Sequence, residues 1–368
     1  MTEKQSSPLL YPAVSVALIA FVLIVAKDGP AVMGSSLMYV AGMLAIGGLI
    51  SLYRPSWQLL MSGVAAHGAA FMLIRALADI GGEVRLGYWC LVISAWLMAW
   101  VFVQSLAALK TGSRGTARAV NVLIPVFFGL WILLLWEVVV RGFGIPQVLL
   151  PAPSQIWGRM VSGLPTLAVD FRQTFKAVLV GYTVGCLSGF VVAILADRVP
   201  FLRRGLLPIG NLVSTLPIIG IAPVMVMWFG FDWQSKAAVV IVMTFFPMLV
   251  NTIAGLASTE AMERDLMRTY AAGYWQTLAK LRLPAALPFI FNALKINSTL
   301  ALIGAIVAEF FGTPIVGMGF RISTEVGRMG IDMVWAEIAV AALAGSIFYG
   351  LLSLIERAAT FWHPSVRT

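Results

Sequence analysis

Few side chains in this sequence are equipped for acid–base, nucleophilic or metal chemistry. Only 11% of the 368 residues are charged, and there are two histidines and two cysteines. Cys90 and Cys186 stand far apart in apolar runs with no second ligand type beside them, so they read as small buried hydrophobes rather than a disulfide or a zinc site. The sequence contains no HExxH, no GxSxG, no paired-aspartate motif and no GxxxxGK[ST] phosphate loop. No catalytic residue, metal or cofactor is therefore assigned, and the chain is not read as an enzyme. The carboxylates inside apolar runs carry more meaning, because a charge at membrane depth is costly and usually faces a bundle interior or a cavity. Glu309 either lines a polar path or serves structure, by pairing with Arg321 or Arg328 or by capping local backbone, and the structural role is favoured. Glu137 stands four residues before Arg141, the spacing of a helical ion pair. Pro217 and Pro223 interrupt the hydrogen-bond ladder of one apolar run, which suits either a path-lining helix or a packing kink. His67, in a Gly/Ala-rich run, reads as a packed, hydrogen-bonded residue.

The stretch with most chemical content is 260–288, EAMERDLMRTYAAGYWQTLAKLRLPAALP. Glu263, Asp265, Arg268, Lys280 and Arg282 give it a polar face. Leu266, Met267, Tyr270, Trp275, Leu278 and Leu281 give it an apolar one, and Pro284 marks an abrupt stop. A loop helix with a large apolar face and no lipid to bury it in needs a protein partner. Small residues at Ala271, Ala272 and Gly273 would let such a partner approach the backbone closely.

The elements that carry these residues are membrane helices. Hydrophobic residues make up 60% of the chain and the mean hydropathy is +0.93, whereas a soluble domain carries about 25% charged residues. Apolar runs of spanning length occur near 9–26, 31–53, 55–74, 86–109, 119–140, 177–196, 205–231, 237–259, 290–312 and 335–355. Backbone groups in lipid must bond internally, so the fold is an all-α polytopic membrane protein with about ten transmembrane helices. The first run has no cleavage site after it and reads as an uncleaved helix. The net charge of +9 lies mainly in short turns, which argues for orientation in a membrane and against nucleic acid. Fifteen Lys and Arg against ten, with tight clusters at 110–118, 198–204 and 264–282, favour cytoplasmic N- and C-termini. The polar segment Lys110–Arg118 divides a four-helix region, 1–110, from a six-helix region, 111–368. Between Arg141 and Arg172, Ser154 is expected to cap a short interfacial helix after Pro146, Pro151 and Pro153. Glycines at 42, 47 and 48, and at 181, 185 and 189, suit close helix packing.

Several segments resemble one family. The 260–288 stretch resembles the EAA loop of permeases of ATP-binding-cassette (ABC) importers: E-A-A, three residues, G, nine residues, then I-x-L-P. Asp265 stands in the Glu place, Leu266 and Met267 in the two Ala places, Ala271 in the Gly place, and Leu281, Arg282, Leu283 and Pro284 close the motif. LLPAPSQIW (149–157), STLPIIGIAPVMVMWFG (214–230), TFFPMLVNTIAG (244–255), IVAEFFGTPIVGMGFRI (306–322) and LIERAATFWHP (354–364) resemble, in order, segments of the nitrate, sulfonate, taurine and thiamine-precursor permeases. The resemblance covers about 119–368, and 1–110 is an addition to the usual six-helix core. It implies a bacterial inner-membrane importer subunit, a homodimer of permeases, and a separate cytoplasmic ATP-binding subunit. That subunit would be gripped through Asp265, Arg268, Thr269, Tyr270, Ala271, Ala272, Gly273 and Pro284. It also implies a solute-binding protein on the outer face. The pathway candidates, Pro217, Pro223 and Glu309, come from the residues themselves, a broken apolar run and a carboxylate at membrane depth. An ion-coupled secondary transporter would need carboxylates near mid-membrane, and Glu137 and Glu309 both lie towards span ends. A membrane scaffold is the further alternative.

Overall fold

The computed structural model describes residues 7–28, 32–79, 86–109, 112–213, 217–312 and 315–362. The helices are α1 (Leu10–Asp28), α2 (Val32–Tyr53), α3 (Gln58–Asp79), α4 (Leu86–Ala107), α5 (Arg114–Gly142), α6 (Pro153–Ser162), α7 (Leu164–Arg198), α8 (Pro200–Val213), α9 (Ile218–Phe229), α10 (Trp233–Ala257), α11 (Ala261–Thr269), α12 (Tyr274–Thr277), α13 (Leu283–Glu309), α14 (Met318–Gly327) and α15 (Ile331–Ala359). Eight helical stretches among the described residues are long and apolar enough to cross a membrane, and each coincides with an expected run. The two remaining runs coincide with shorter apolar helices, Leu10–Val25 and Ile219–Phe229.

The expected run 205–231 is corrected. It holds two helices, α8 and α9, and Pro217 heads the second in extended geometry (φ −69°, ψ 122°). Its fixed φ and missing amide suit a helix start, so only Pro223 lies inside α9. Other helices outrun their charge-free stretches. α7 begins at Leu164 and takes in Asp170, Arg172 and Lys176, while α10 takes in Lys236. Pro284 does not stop a helix; it falls in the first turn of α13, where its missing N–H is not needed.

The described chain forms two compact units, Met1–Gln155 and Ile156–Thr368. This division lies later than the polar segment at 110–118, because α5 packs on α3 and α4. Lys110 and Thr111, like Lys4, Glu83, 214–216, Thr313, Pro314, Pro364 and Arg367, lie outside the described residues.

In the first unit α1, α2, α3 and α4 pack as a ring, each against the next, around alanine-rich seams. A Cβ on Gly47 would come 2.7 Å from Ala65 Cβ, whereas Gly42 faces open space, so only part of the expected glycine seam packs. His67 Nδ1 donates to Gly63 O (2.8 Å), and its ring meets Phe102, Phe127 and Trp131 edge-on. Cys90 is half-buried rather than buried. Glu137 forms the expected pair with Arg141 (2.5 Å) and also accepts from the Ser154 amide (2.9 Å) and hydroxyl (2.7 Å). The start of α6 is thus capped by Glu137 rather than by Ser154, a carboxylate being the stronger acceptor at a helix N-terminus.

In the second unit α7 lies along α10, and α10 along α13. Cβ atoms on Gly181, Gly185 and Gly189 would fall 2.7, 2.9 and 2.5 Å from the carbonyl oxygens of Ala237, Ile241 and Phe245. Where lipid offers no hydrophobic drive between helices, this backbone-to-backbone contact is what holds α7 to α10.

Candidate functional site

Two polar clusters of the second unit sit at the two ends of α7. From Asp170 to Asp197 is 27 residues, or about 40 Å of helix at 1.5 Å per residue, comparable to a full bilayer with its headgroups.

The first cluster is the 260–288 segment. Glu260 N–H donates to Glu263 Oε2 (3.0 Å), starting α11. The helix ends in a Schellman turn: Ala272 N–H donates to Met267 O (3.0 Å), Ala271 N–H to Arg268 O (2.9 Å), and Ala271 is left-handed at φ +53°. Ala271 therefore occupies a conformation that favours glycine, at a cost of about 1 kcal/mol. Gly273 N–H donates to Gln276 Oε1 (3.2 Å) and opens α12. Thr269 Oγ1 donates to Asp265 O (3.0 Å), and Arg268 pairs with Asp265 at 3.3 Å with both side chains exposed.

This turn splits the two continuous faces expected from the sequence. Met262, Leu266, Tyr270 and Trp275 point outward, 79%, 57%, 78% and 68% exposed. Leu278 is buried in the bundle, and Arg282 is turned inward instead of joining the polar face. A π-helical turn at Leu278–Arg282 accompanies the change of register into α13. Arg282 Nη2 and Nη1 donate to Asp197 Oδ1 and Oδ2, both at 2.7 Å, and Nε donates to Leu256 O at 3.0 Å. Tyr274 OH donates to the same Asp197 Oδ2 (3.0 Å), and the Arg198 guanidinium lies 4.8 Å over the Tyr274 ring.

The second cluster gathers around the start of α14. The amides of Gly317, Met318 and Gly319 donate to Asp170 Oδ1 (2.7 Å), Thr174 Oγ1 (2.9 Å) and Glu309 Oε2 (2.7 Å). Thr174 in turn donates to Glu309 Oε1 (2.8 Å). Glu309, 2% exposed, caps local backbone, one of the roles anticipated for it. Neither anticipated arginine pairs with it: Arg321 Nε donates to Asp170 Oδ2 (2.8 Å), and Arg328 faces Glu325 (3.7 Å). The Asp170 hydrogen bond holds the Arg321 pKa above its ordinary value. Lys236, fully buried, donates to the carbonyls of Phe231 (2.5 Å) and Gly312. A Cβ on Gly319 would meet Ile306 O at 2.1 Å, which accounts for a glycine there.

Of the pathway candidates, Pro217 is exposed, Pro223 half-buried and Glu309 enclosed. Ala222 and Ala308, each next to one of them, pack together with Val239. Sequence reasoning missed Asp170, Thr174, Asp197 and Lys236. The one available signal was their spacing, since Asp170 and Thr174 share a helical face four residues apart.

A family profile described as "Binding-protein-dependent transport system inner membrane component" matches residues 181–361, all within the second unit. Among curated relatives, the formylaminopyrimidine transport permease protein ThiX of Halalkalibacterium halodurans is 32% identical over 249 residues, covering 67% of this chain and 98% of the relative. The riboflavin transport system permease protein RibX of Chloroflexus aurantiacus is 28% identical, covering 64% and 88%. The taurine transport system permease protein TauC of Escherichia coli is 26% identical, also covering 64% and 88%. The chain belongs to the family of binding-protein-dependent transport system inner membrane components, as a multi-span ABC importer permease of the inner membrane.

Proposed function

We propose that this chain, paired with a second copy, forms the translocation pathway of an ATP-driven importer and docks a separate cytoplasmic ATP-binding subunit through residues 260–288. The observation that carries the reading is the exposed row Met262, Leu266, Tyr270 and Trp275, held on a segment whose inward side is bonded to α7 and α10. Such a row, carried beside basic residues on the face expected in the cytosol, gains by burial in a protein groove. Tyr270 is its anchor, Asp265 and Arg268 its charged rim, Ala271, Ala272 and Gly273 the turn that presents it, and Pro284 the start of the helix it would drive. The basic clusters support cytoplasmic N- and C-termini, with a solute-binding protein meeting the opposite face and lipid surrounding the remaining apolar surface. α9, with Pro217 and Pro223, borders the pathway, and Glu309 supports it from behind. Formylaminopyrimidine and riboflavin, named for two relatives, are both nitrogen heterocycles. A small pyrimidine-like solute is the favoured cargo.

Co-expression with the ATP-binding subunit and the solute-binding protein tests this. The three are expected to copurify, and mass spectrometry of the binding protein should release a pyrimidine-type ligand. Replacing residues 261–277 with a Gly/Ser linker should free the ATP-binding subunit. Retention of that subunit after replacement removes the docking role, and a ligand of another class removes the cargo assignment.

A further inference from the structure

Chain continuity ties the 260–288 segment to only two spans. It follows α10 directly, and it runs through the π-helical turn into α13. α7, the longest helix of the second unit, does not adjoin it in the chain. Besides the packing of α7 along α10 and the Arg198 guanidinium over the Tyr274 ring, the hydrogen-bonded link between the two among the described residues is Asp197. This carboxylate takes three hydrogen bonds from the segment, two from the Arg282 guanidinium at 2.7 Å and one from the Tyr274 hydroxyl at 3.0 Å. The same guanidinium bonds Leu256 O in the last turn of α10. One side chain thereby joins the end of α7, the end of α10 and the start of α13.

Two features distinguish this from an ordinary surface ion pair. Asp197 sits in the last turn of α7, where the helix dipole disfavours an anion, and the Arg282 guanidinium offsets that field. The pair is also largely enclosed, with Arg282 and Asp197 side chains 15% and 5% exposed, and it is bidentate, which fixes angle as well as distance. The Arg268–Asp265 pair on the same segment, 82% and 68% exposed, has neither property.

We infer that Asp197, Arg282 and Tyr274 form a transmission clamp that makes the 260–288 segment and α7 one moving body. They are positioning residues, and the inference rests on the reading of this segment as the dock for the ATP-binding subunit. The clamp delivers displacement of the segment to a third span, whose far end is Asp170 and the Arg321 cluster.

Spin labels test it in the complex with the ATP-binding subunit, with ATP plus vanadate as the probe. A single label at Lys280→Cys, on the segment but outside the docking row, reports the distance between the two copies' segments. A second sample carries Lys280→Cys and Leu187→Cys in one labelled copy per complex; both sites are exposed. The expected result is that ATP plus vanadate changes the distance between copies, while the 280–187 distance stays narrow and unchanged. In Asp197→Asn or Arg282→Gln the 280–187 distance should shift or broaden on the same treatment, with the ATP-binding subunit still bound. The charge swap Asp197→Arg with Arg282→Asp should restore the invariant distance. A 280–187 distance that stays fixed in both single variants while the copies still move overturns the clamp and leaves the docking reading intact. If the distance between copies never responds, the docking reading fails and the clamp with it.

Discussion

At one end of α7, Asp170 is wholly buried and bonds a backbone amide and Arg321; at the other, Asp197 bonds Arg282 and Tyr274 beside a row of bare hydrophobic side chains. Both ends use a carboxylate on the same helix to hold an arginine from a later element. They differ in what lies next to the pair. Around Asp170, Thr174, Glu309 and Lys236 are turned onto partners within the bundle, as a structural joint requires. Glu337, wholly buried in the same cluster, is the exception there, with neither carboxylate oxygen on a hydrogen-bond partner among the described residues. Around Asp197 the inward groups are satisfied, while Leu266, Tyr270 and Trp275 are left to solvent. The unpartnered surface is the more informative feature.

The comparison can be broken at several points. Glu309→Ala should have the largest effect on stability, because it strands the Gly319 amide and the Thr174 hydroxyl near buried Lys236. Removing one partner of such a buried network costs about 3–5 kcal/mol, read as a lower thermal midpoint of the solubilised protein. Glu309→Gln, which keeps an acceptor, should lose less. Gly185→Leu comes next: its Cβ would lie 2.9 Å from Ile241 O, and overpacking of this kind costs about 1–3 kcal/mol. Loss of the α7–α10 seam should appear in the same melt. Ala271→Gly should go the other way, relieving the left-handed turn by about 1 kcal/mol, seen as slower hydrogen exchange at the Ala272 amide. Asp265→Ala should move stability by no more than about 0.5 kcal/mol, since the pair it breaks is exposed.

How far the sequence foretells these features depends on what each one rests on. Spans follow from apolar run length, a local property, and the described long helices coincide with those runs. The 260–288 segment is legible for the same reason, since its charges and apolar residues recur at helical spacing. What escapes is pairing across helices. Lys236 and Asp170 look like charges that should end a span, yet α10 and α7 include them because carbonyls or an arginine from other elements satisfy them. Arg282 looks like part of a solvated face until the turn at Ala271 and the π-helical turn re-aim it at Asp197. Pro217 reads as a kink because nothing local announces that α8 has already ended.

The most direct test of the central claim is to charge the exposed row and weigh the partner. In a permease carrying Leu266→Asp and Tyr270→Asp, both side chains remain in solvent, so the thermal midpoint of the permease alone should match the parent. Its affinity for the ATP-binding subunit, measured by titration in nanodiscs, should collapse. An unchanged affinity would contradict the account.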